Sequence, residues 1–398
     1  IIDGQPPIYL GVYVDDFTYF STSDDVEKAF EHAISQHLRV DFMGDVAWFL
    51  GCSSVWQRTE DNKLTVSITQ TAKIESMLDE FDMADCNATH SPYRSGMVID
   101  RIPKDNLSPE DKPHIVKPYQ RLVGGLNWLS LNTRPELCVP VSLLSSHLHN
   151  PSLGHIDAAK QVLAWLSGSR NYGIRFTQGG SFAAGLVSWV DKEDVDCTPL
   201  SQIWTDANWG PQDASHPKPD QTQYISPEEV RSLLGHCVTR MNGPIAWGCM
   251  REPKASRSSC ESEIFAMDEG CKTLENTHHL LEDLGLADVL TRPDGLPLYN
   301  DNKGAVEWSS GLNISKKLRH INIREVAVRD AASAKLVDVQ HVPGHSNIAD
   351  LFTKEFKSDD TFRHLAFQLL SVRDSGACYV ESGIQELIAV EPAVAAAK

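Results

Sequence analysis

No stretch of this chain approaches the roughly 18 consecutive apolar residues of a membrane helix, and Ile1 to Tyr13 has neither a basic start nor a small-residue cleavage site. The chain therefore reads as soluble, unsecreted and intracellular, cytoplasmic or nuclear, with no membrane partner. Paired cysteine motifs are missing too. The nine cysteines are an odd number with no C-x-x-C among them, which argues against a disulfide framework or a zinc ribbon and for a reducing compartment. Positive charge is scarce: 36 Lys and Arg face 54 Asp and Glu, leaving a net charge of −18. That is the wrong sign for gripping nucleic acid by bulk charge, so any such role rests on local patches. What is present is globular composition. The 398 residues are 41% hydrophobic and 23% charged, enough for two to three domains of ~100 to 200 residues each and far from disordered or low-complexity classes. The opening segment is already strand-like and begins with Ile1, which reads as a piece of a longer polypeptide.

The first half mixes strands and helices. Ile8 to Val14 and Phe17 to Phe20 are β-rich around Asp15-Asp16, the pattern of a hairpin with two acids at its tip. Val26, Phe30, Ile34 and Leu38 recur near helical spacing behind a possible Ser23 cap. Trp48-Phe49-Leu50-Gly51 leads to another β-rich stretch around Leu64 to Ile68, and Ile74, Leu78 and Phe81 mark a helix. Asn87 to Pro118 is polar and Pro-bearing and reads as loop. Three short-looped helical patterns follow, at Leu122 to Leu129, Leu137 to Leu148 and Ile156 to Leu166, which predicts that they pack together.

Gly179-Gly180 and the acidic run Asp191 to Asp196 are a composition break, where a domain boundary is expected. Beyond it the pattern is strand, hairpin, helix, strand, helix, strand, helix, a mixed α/β domain. Gln202 to Thr205 enters Asp206, Asn242-Gly243 is a strong hairpin turn, and Leu296 to Tyr299 ends at Asp301. Val337 and Val339 alternate with polar neighbours, and Ser346 is a possible cap for a last helix through Phe356. Gly210 to Glu229 looks like an insertion, and beyond about Arg373 an Ala-rich tail is uninformative.

Asp206, Glu263, Asp301 and Asp350 fall at expected strand ends or helix starts. Carboxylates gathered at one sheet edge repel one another unless cations neutralise them, and hard oxygen ligands suit magnesium or manganese. Two such ions can activate water against a phosphodiester, so the group points to phosphodiester hydrolysis. Singly, each acid is more commonly a solvated turn residue. Glu261 competes with Glu263, but it stands three after Ser258, where a capping box already explains it, so Glu263 is preferred. A basic stretch, Lys316, Lys317, Arg319, Arg324 and Arg329, has Glu325 as its only acid and reads as a solvated face or a phosphate contact.

Tyr13-Val14-Asp15-Asp16-Phe17 resembles the YVDD motif of reverse transcriptases, and about Ile8 to Phe356 resembles the copia-type retrotransposon polyprotein through its ribonuclease H domain. The match includes Trp48-Phe49-Leu50-Gly51, Tyr119 to Leu126, Thr133-Arg134-Pro135-Glu136 and Ala158 to Leu163. It continues with Asp206-Ala207-Asn208-Trp209, Ser258 to Glu263, Asp301-Asn302-Lys303-Gly304-Ala305, Lys317 to Ile321 and Ala349 to Lys354. Any one of these is weak; their order is strong.

The resemblance implies a partial palm (1–85) with a primer-grip region, thumb or connection helices (86–180), a ribonuclease-H-like mixed sheet (198–357) and a C-terminal tail (358–398). It implies Asp15 and Asp16 in a polymerase metal site and Asp206, Glu263, Asp301 and Asp350 as ligands of two magnesium or manganese ions. The implied partners are an RNA-DNA hybrid or template-primer and upstream parts of the polyprotein. The basic stretch would then border the metal site and track phosphates. His345 could resemble the mobile histidine of some ribonucleases H, although a surface loop histidine is the plainer reading. Trp209 and Trp247 could stack on nucleic acid, although a core role is the commoner one. In this family a further catalytic Asp lies upstream of YVDD, so the polymerase site is expected to be incomplete here. The alternative is a catalytically inactive, decayed or co-opted remnant acting as a nucleic-acid-binding or scaffold protein.

Overall fold

The computed structural model describes residues 5–93, 99, 102, 112–179, 201–208, 231–253, 255–286, 294–311 and 323–370. The boundary at 179–200, the 210–229 insertion, Trp209, Lys316, Lys317, Arg319 and the Ala-rich tail lie wholly or almost wholly outside them.

The described strands fall into three sheets. β1 (Ile8–Tyr13) and β2 (Asp16–Ser21) form the expected hairpin, in register from Ile8 opposite Ser21 to Tyr13 opposite Asp16. Its two-residue turn holds Val14 at φ 51°, a left-handed conformation unusual for a β-branched residue. α1 (Asp24–Ser35) packs against it, with Tyr19 and Phe30 ring centroids 4.9 Å apart.

The second sheet has the order β3 (Trp48–Phe49), β4 (Cys52–Arg58), β5 (Leu64–Thr69), β6 (Gly173–Thr177), all antiparallel. β4 adds a strand that its Ser-rich, mostly unburied sequence does not announce. Between β5 and β6 lie α2 (Thr71–Glu80), α3 (Lys112–Asn132), α4 (Cys138–Ser145) and α5 (Leu153–Gly168). Ile74, Leu126, Leu129, Val162, Leu163 and Leu166 are fully buried among them. The expected loop ends earlier than Pro118, because α3 begins at Lys112 and runs through that proline. Pro118, which cannot donate a helical hydrogen bond, is exposed within the first two turns of the helix. The Thr133 to Glu136 motif is structural. Arg134 and Glu136 pair at 2.7 Å with both side chains fully buried, Arg134 donates to Ser169 O and Oγ, and Trp165 Nε1 donates to Glu136 Oε1 at 3.3 Å.

The third sheet runs β11, β10, β7, β8, β9. β7 (Gln202–Asn208), β8 (Leu233–Arg240) and β9 (Gly243–Arg251) are antiparallel, while β10 (Leu296–Asn300) lies parallel to both β7 and β11 (Val337–His341). The hairpin expected at Asn242-Gly243 forms between β8 and β9, but its two turn residues are Met241 and Asn242, with φ of 51° and 64°, and Gly243 already opens β9 opposite Arg240. Strand alternation divides the sheet's residues between two cores. Ile203, Val238 and Leu298 join the buried residues of α6 (Ser259–Asp283), α7 (Lys303–Ser310) and α8 (Ile323–Ser333). Trp204, Cys237 and Tyr299 join the opposite core, which continues without a break into Leu122, Leu126, Val162 and Leu166 of the first half.

The 86–180 and 198–357 segments therefore share one apolar core. Two further expectations are corrected. Ser346 does not cap a helix running to Phe356. Instead, short 3-10 turns cover Gly344–Ser346 and Ile348–Phe352, the second capped by Asn347, whose side-chain oxygen accepts from Ala349 N. The start of the assigned tail is α9 (Asp359–Leu369), whose Phe362 is buried against Tyr93 and Trp165 with ring centroids 5.7 and 5.4 Å away. Among the described residues no helix is long and apolar enough to cross a membrane.

Candidate active site

β7 and β10 are adjacent, parallel and buried, so the acids toward their carboxyl ends meet at one edge of the sheet. Asp206 lies in β7, and Asp301 directly follows β10. Asp350 sits in the 3-10 turn laid across β8, where Gly235 is the register partner of Asp206. A Cβ on Gly235 would come within 2.7 Å of both Phe352 Cβ and Thr353 Cγ2, so the bare glycine is what lets the turn close on the strand. Each of Asp206, Asp301 and Asp350 offers an oxygen within 4.8 Å of the others.

Glu263, in the first turns of α6, stands just outside that trio. Asn300 Nδ2 donates to its Oε2 at 2.9 Å, and the same amide donates to Thr205 O and Oγ1. Gly270, whose Cβ would meet Ile203 and Thr205 methyls at 2.9 Å, brings α6 down onto β7. Glu261 behaves as a cap: Ser258 Oγ accepts from its backbone N at 3.2 Å, and its Oε2 accepts from Arg257 N at 2.7 Å.

The electrostatics are those of acids crowded without enough cations. Burial, then the charge of Asp206, pushes Glu263 well above the usual carboxylate range. The same two causes raise Asp301, and they raise Asp350 to about 7. The cation the structure brings among them is Lys354, 2.6 Å from Asp350 Oδ1 and 3.5 Å from Asp206 Oδ1. Burial by itself would lower Lys354, but Asp206 and Asp350 hold it above its ordinary value. Thr353 Oγ1 donates to Asp206 Oδ2. Such an all-oxygen, charge-hungry donor set fits magnesium or manganese.

Lys354, Thr353, Asn300 and Asn347 escaped the sequence reading as site residues. Lys354 was detectable as the residue four after Asp350. Asn347, whose side chain donates to Thr205 O at 3.0 Å, carried no signal apart from lying in a polar turn.

The other expected residues lie elsewhere or do other work. Asp15 and Asp16 are exposed on the β1–β2 hairpin and belong to no three-carboxylate cluster among the described residues. Arg329 stacks its guanidinium 5.1 Å from the Trp308 ring centroid and donates to Gly311 O, bracing α8 against α7. Arg324 lies in the first turn of α8. Trp247 donates Nε1 to Ser130 O at 2.9 Å, which ties β9 to α3. His345 is exposed, on a turn whose Gly344 passes so close to Asp301 that a Cβ would be 3.0 Å from Oδ2.

No family profile matches the chain. It is 25% identical over 368 residues to the retrovirus-related Pol polyprotein from transposon RE1 of Arabidopsis thaliana, covering 92% of this chain and 22% of that protein. It is 24% identical over 351 residues to the corresponding polyprotein from transposon TNT 1-94 of Nicotiana tabacum, covering 87% of this chain and 23% of that one. The chain thus spans about a fifth of the length of these curated relatives. Among solved structures, LC11-RNase H1 in complex with RNA/DNA hybrid aligns with 38% of this chain and 93% of its own, at 12% identity and a TM-score of 0.26. The similarity to copia-type transposon Pol polyproteins extends through both halves of the chain, as the ordered motifs do.

Proposed function

We propose that this chain is a retrotransposon reverse transcriptase and ribonuclease H segment whose second half hydrolyses the RNA strand of RNA-DNA hybrids. The observation that carries this reading is the meeting of Asp206, Asp301 and Asp350 at one sheet edge, within 4.8 Å and with Glu263 beside them. Asp206, Glu263, Asp301 and Asp350 would hold two magnesium or manganese ions. Bound there, the ions would supply an activated water and neutralise charge on the leaving oxygen of an in-line displacement.

The chain's own residues prepare that site. Thr353 fixes the orientation of Asp206, Asn300 fixes Glu263, and Asn347 ties the Asp350 turn to the β7 backbone. On this reading Asp15 and Asp16 are the polymerase pair implied by the YVDD resemblance, presented on an exposed hairpin. The segment from Lys316 to Arg329 would contribute phosphate contacts, with Arg329 bracing the helix that carries Arg324. The substrate is an RNA-DNA hybrid or template-primer, and other parts of the polyprotein are its partners.

The test is cleavage of a labelled RNA-DNA hybrid by the purified chain with magnesium. The wild type should cut and Asp206→Asn should lose at least about a hundredfold of that rate; equal rates would reject the assignment. The −18 net charge favours a second reading, an inactive remnant that binds or scaffolds. Salt-sensitive hybrid binding without any metal-dependent cleavage would select it.

A further inference from the structure

Lys354 is left without a role in the hydrolysis just described. Its ammonium touches Asp350 at 2.6 Å and reaches Asp206 at 3.5 Å, and both acids belong to the trio whose oxygens come within 4.8 Å of one another. The ammonium therefore uses oxygens that an ion in this site would need. On Asp206, Oδ2 accepts the Thr353 hydroxyl, which leaves Oδ1, the oxygen that faces the ammonium, as the less occupied of the two. Two cations sharing the same oxygens repel one another strongly away from bulk water.

A way out exists. The Lys354 side chain is 30% exposed, and its flexible four-carbon stem can carry the charge to solvent while its backbone stays in place. That backbone is anchored independently, since Lys354 N donates to Asp350 O at 3.0 Å and Lys354 O accepts from the Tyr93 hydroxyl at 3.2 Å.

Building on the metal site of the nuclease reading, we propose that Lys354 is a built-in cation that competes with the divalent ion. With the ion absent it holds the carboxylates together; when the ion binds, the ammonium leaves for solvent. The consequence is a site that keeps its fold without metal and binds metal more weakly than its four acids alone would.

The test uses the full chain. Manganese binding is measured by calorimetry for the wild type and for Lys354→Met, with melting of each protein followed with and without manganese. The variant should bind manganese about tenfold tighter or more, because the competing charge is gone. It should melt below the wild type without metal and recover with it. A second measurement needs no variant: the nitrogen-15 signal of the Lys354 ammonium should be protected from exchange in metal-free wild type and lose that protection in saturating magnesium. Equal or weaker manganese binding by the variant, or an ammonium signal indifferent to magnesium, overturns the proposal. Absence of manganese binding by both proteins overturns the metal site itself along with it. Absent hybrid cleavage with the binding results as expected removes only the nuclease reading and leaves the competition standing.

Discussion

Asp350 and His236 titrate with opposite consequences for stability. Asp350 is raised to about 7 by burial and then by Asp206. A carboxyl raised on folding contributes stability that is fully present below its unfolded value, near 3.8, and lost as pH climbs through the folded one. A divalent ion requires the ionised form, so metal binding should reverse this loss. The melting shift produced by saturating magnesium should therefore be larger at pH 8 than at pH 5, and equal shifts would show that Asp350 is not a ligand. His236, in β8, is instead lowered to about 4 by burial, with Thr273 Oγ1 2.9 Å from its Nε2 and β9 pressed close at Gly248. Its unfolded form takes up a proton first as pH falls. Stability present above about 6.5 is thus lost on the way down to about 4, on the order of 3 kcal/mol. Urea unfolding at pH 7, 5.5 and 4 should show this loss in the wild type and a much flatter profile in His236→Gln; parallel profiles would rule the effect out.

At the scale of elements, the site depends on how closely the Ile348–Phe352 turn lies on β8. Gly235→Ala would place a methyl 2.7 Å from Phe352 and Thr353, so the turn carrying Asp350, Thr353 and Lys354 must lift. The expected cost is about 1–3 kcal/mol of overpacking, together with weakened manganese binding. Unchanged affinity in a folded Gly235→Ala protein would mean that the turn does not position the ligands.

The meeting of Asp206 and Asp301 was legible because strand ends in a parallel pair share an edge, and Glu263 was separable from Glu261 because a capping box leaves its own signature. The Asp350 turn was not. Its 3-10 geometry has no apolar period, and its cap is Asn347 acting through a side chain that also reaches across to β7. β4 escaped for a related reason: its side chains are largely unburied, so no alternation marks it. Pro118 misled because the apolar stripe of Tyr119, Leu122, Val123 and Leu126 that follows it is buried and holds α3 together through an exposed proline.

Across the whole molecule, a composition break is a statement about residues 179–200, whereas a domain boundary is a statement about the core. Here the core crosses the break. Trp204, Cys237, Tyr299 and Phe352 of the second half are buried with Leu122, Leu129 and Leu166 of the first, and Trp247 is hydrogen-bonded to Ser130. α9 closes the joint, with Phe362 edge-on to Tyr93 and Trp165 and Asp359 Oδ1 accepting from Ser91 Oγ at 2.6 Å. Nothing local in the sequence of α9 names its partners, which lie about 200 or more residues earlier in the chain. A shared core predicts shared unfolding. Phe362→Ala should cost about 3–5 kcal/mol, and it should lower the melting of helices α3 to α5 and of the α6–β7 sheet region by the same amount. Tryptophan fluorescence and circular dichroism should then give coincident transitions in both proteins. Two separated transitions in the variant, with only one moved, would show instead that the halves fold as independent domains and that their contact is a docking interface.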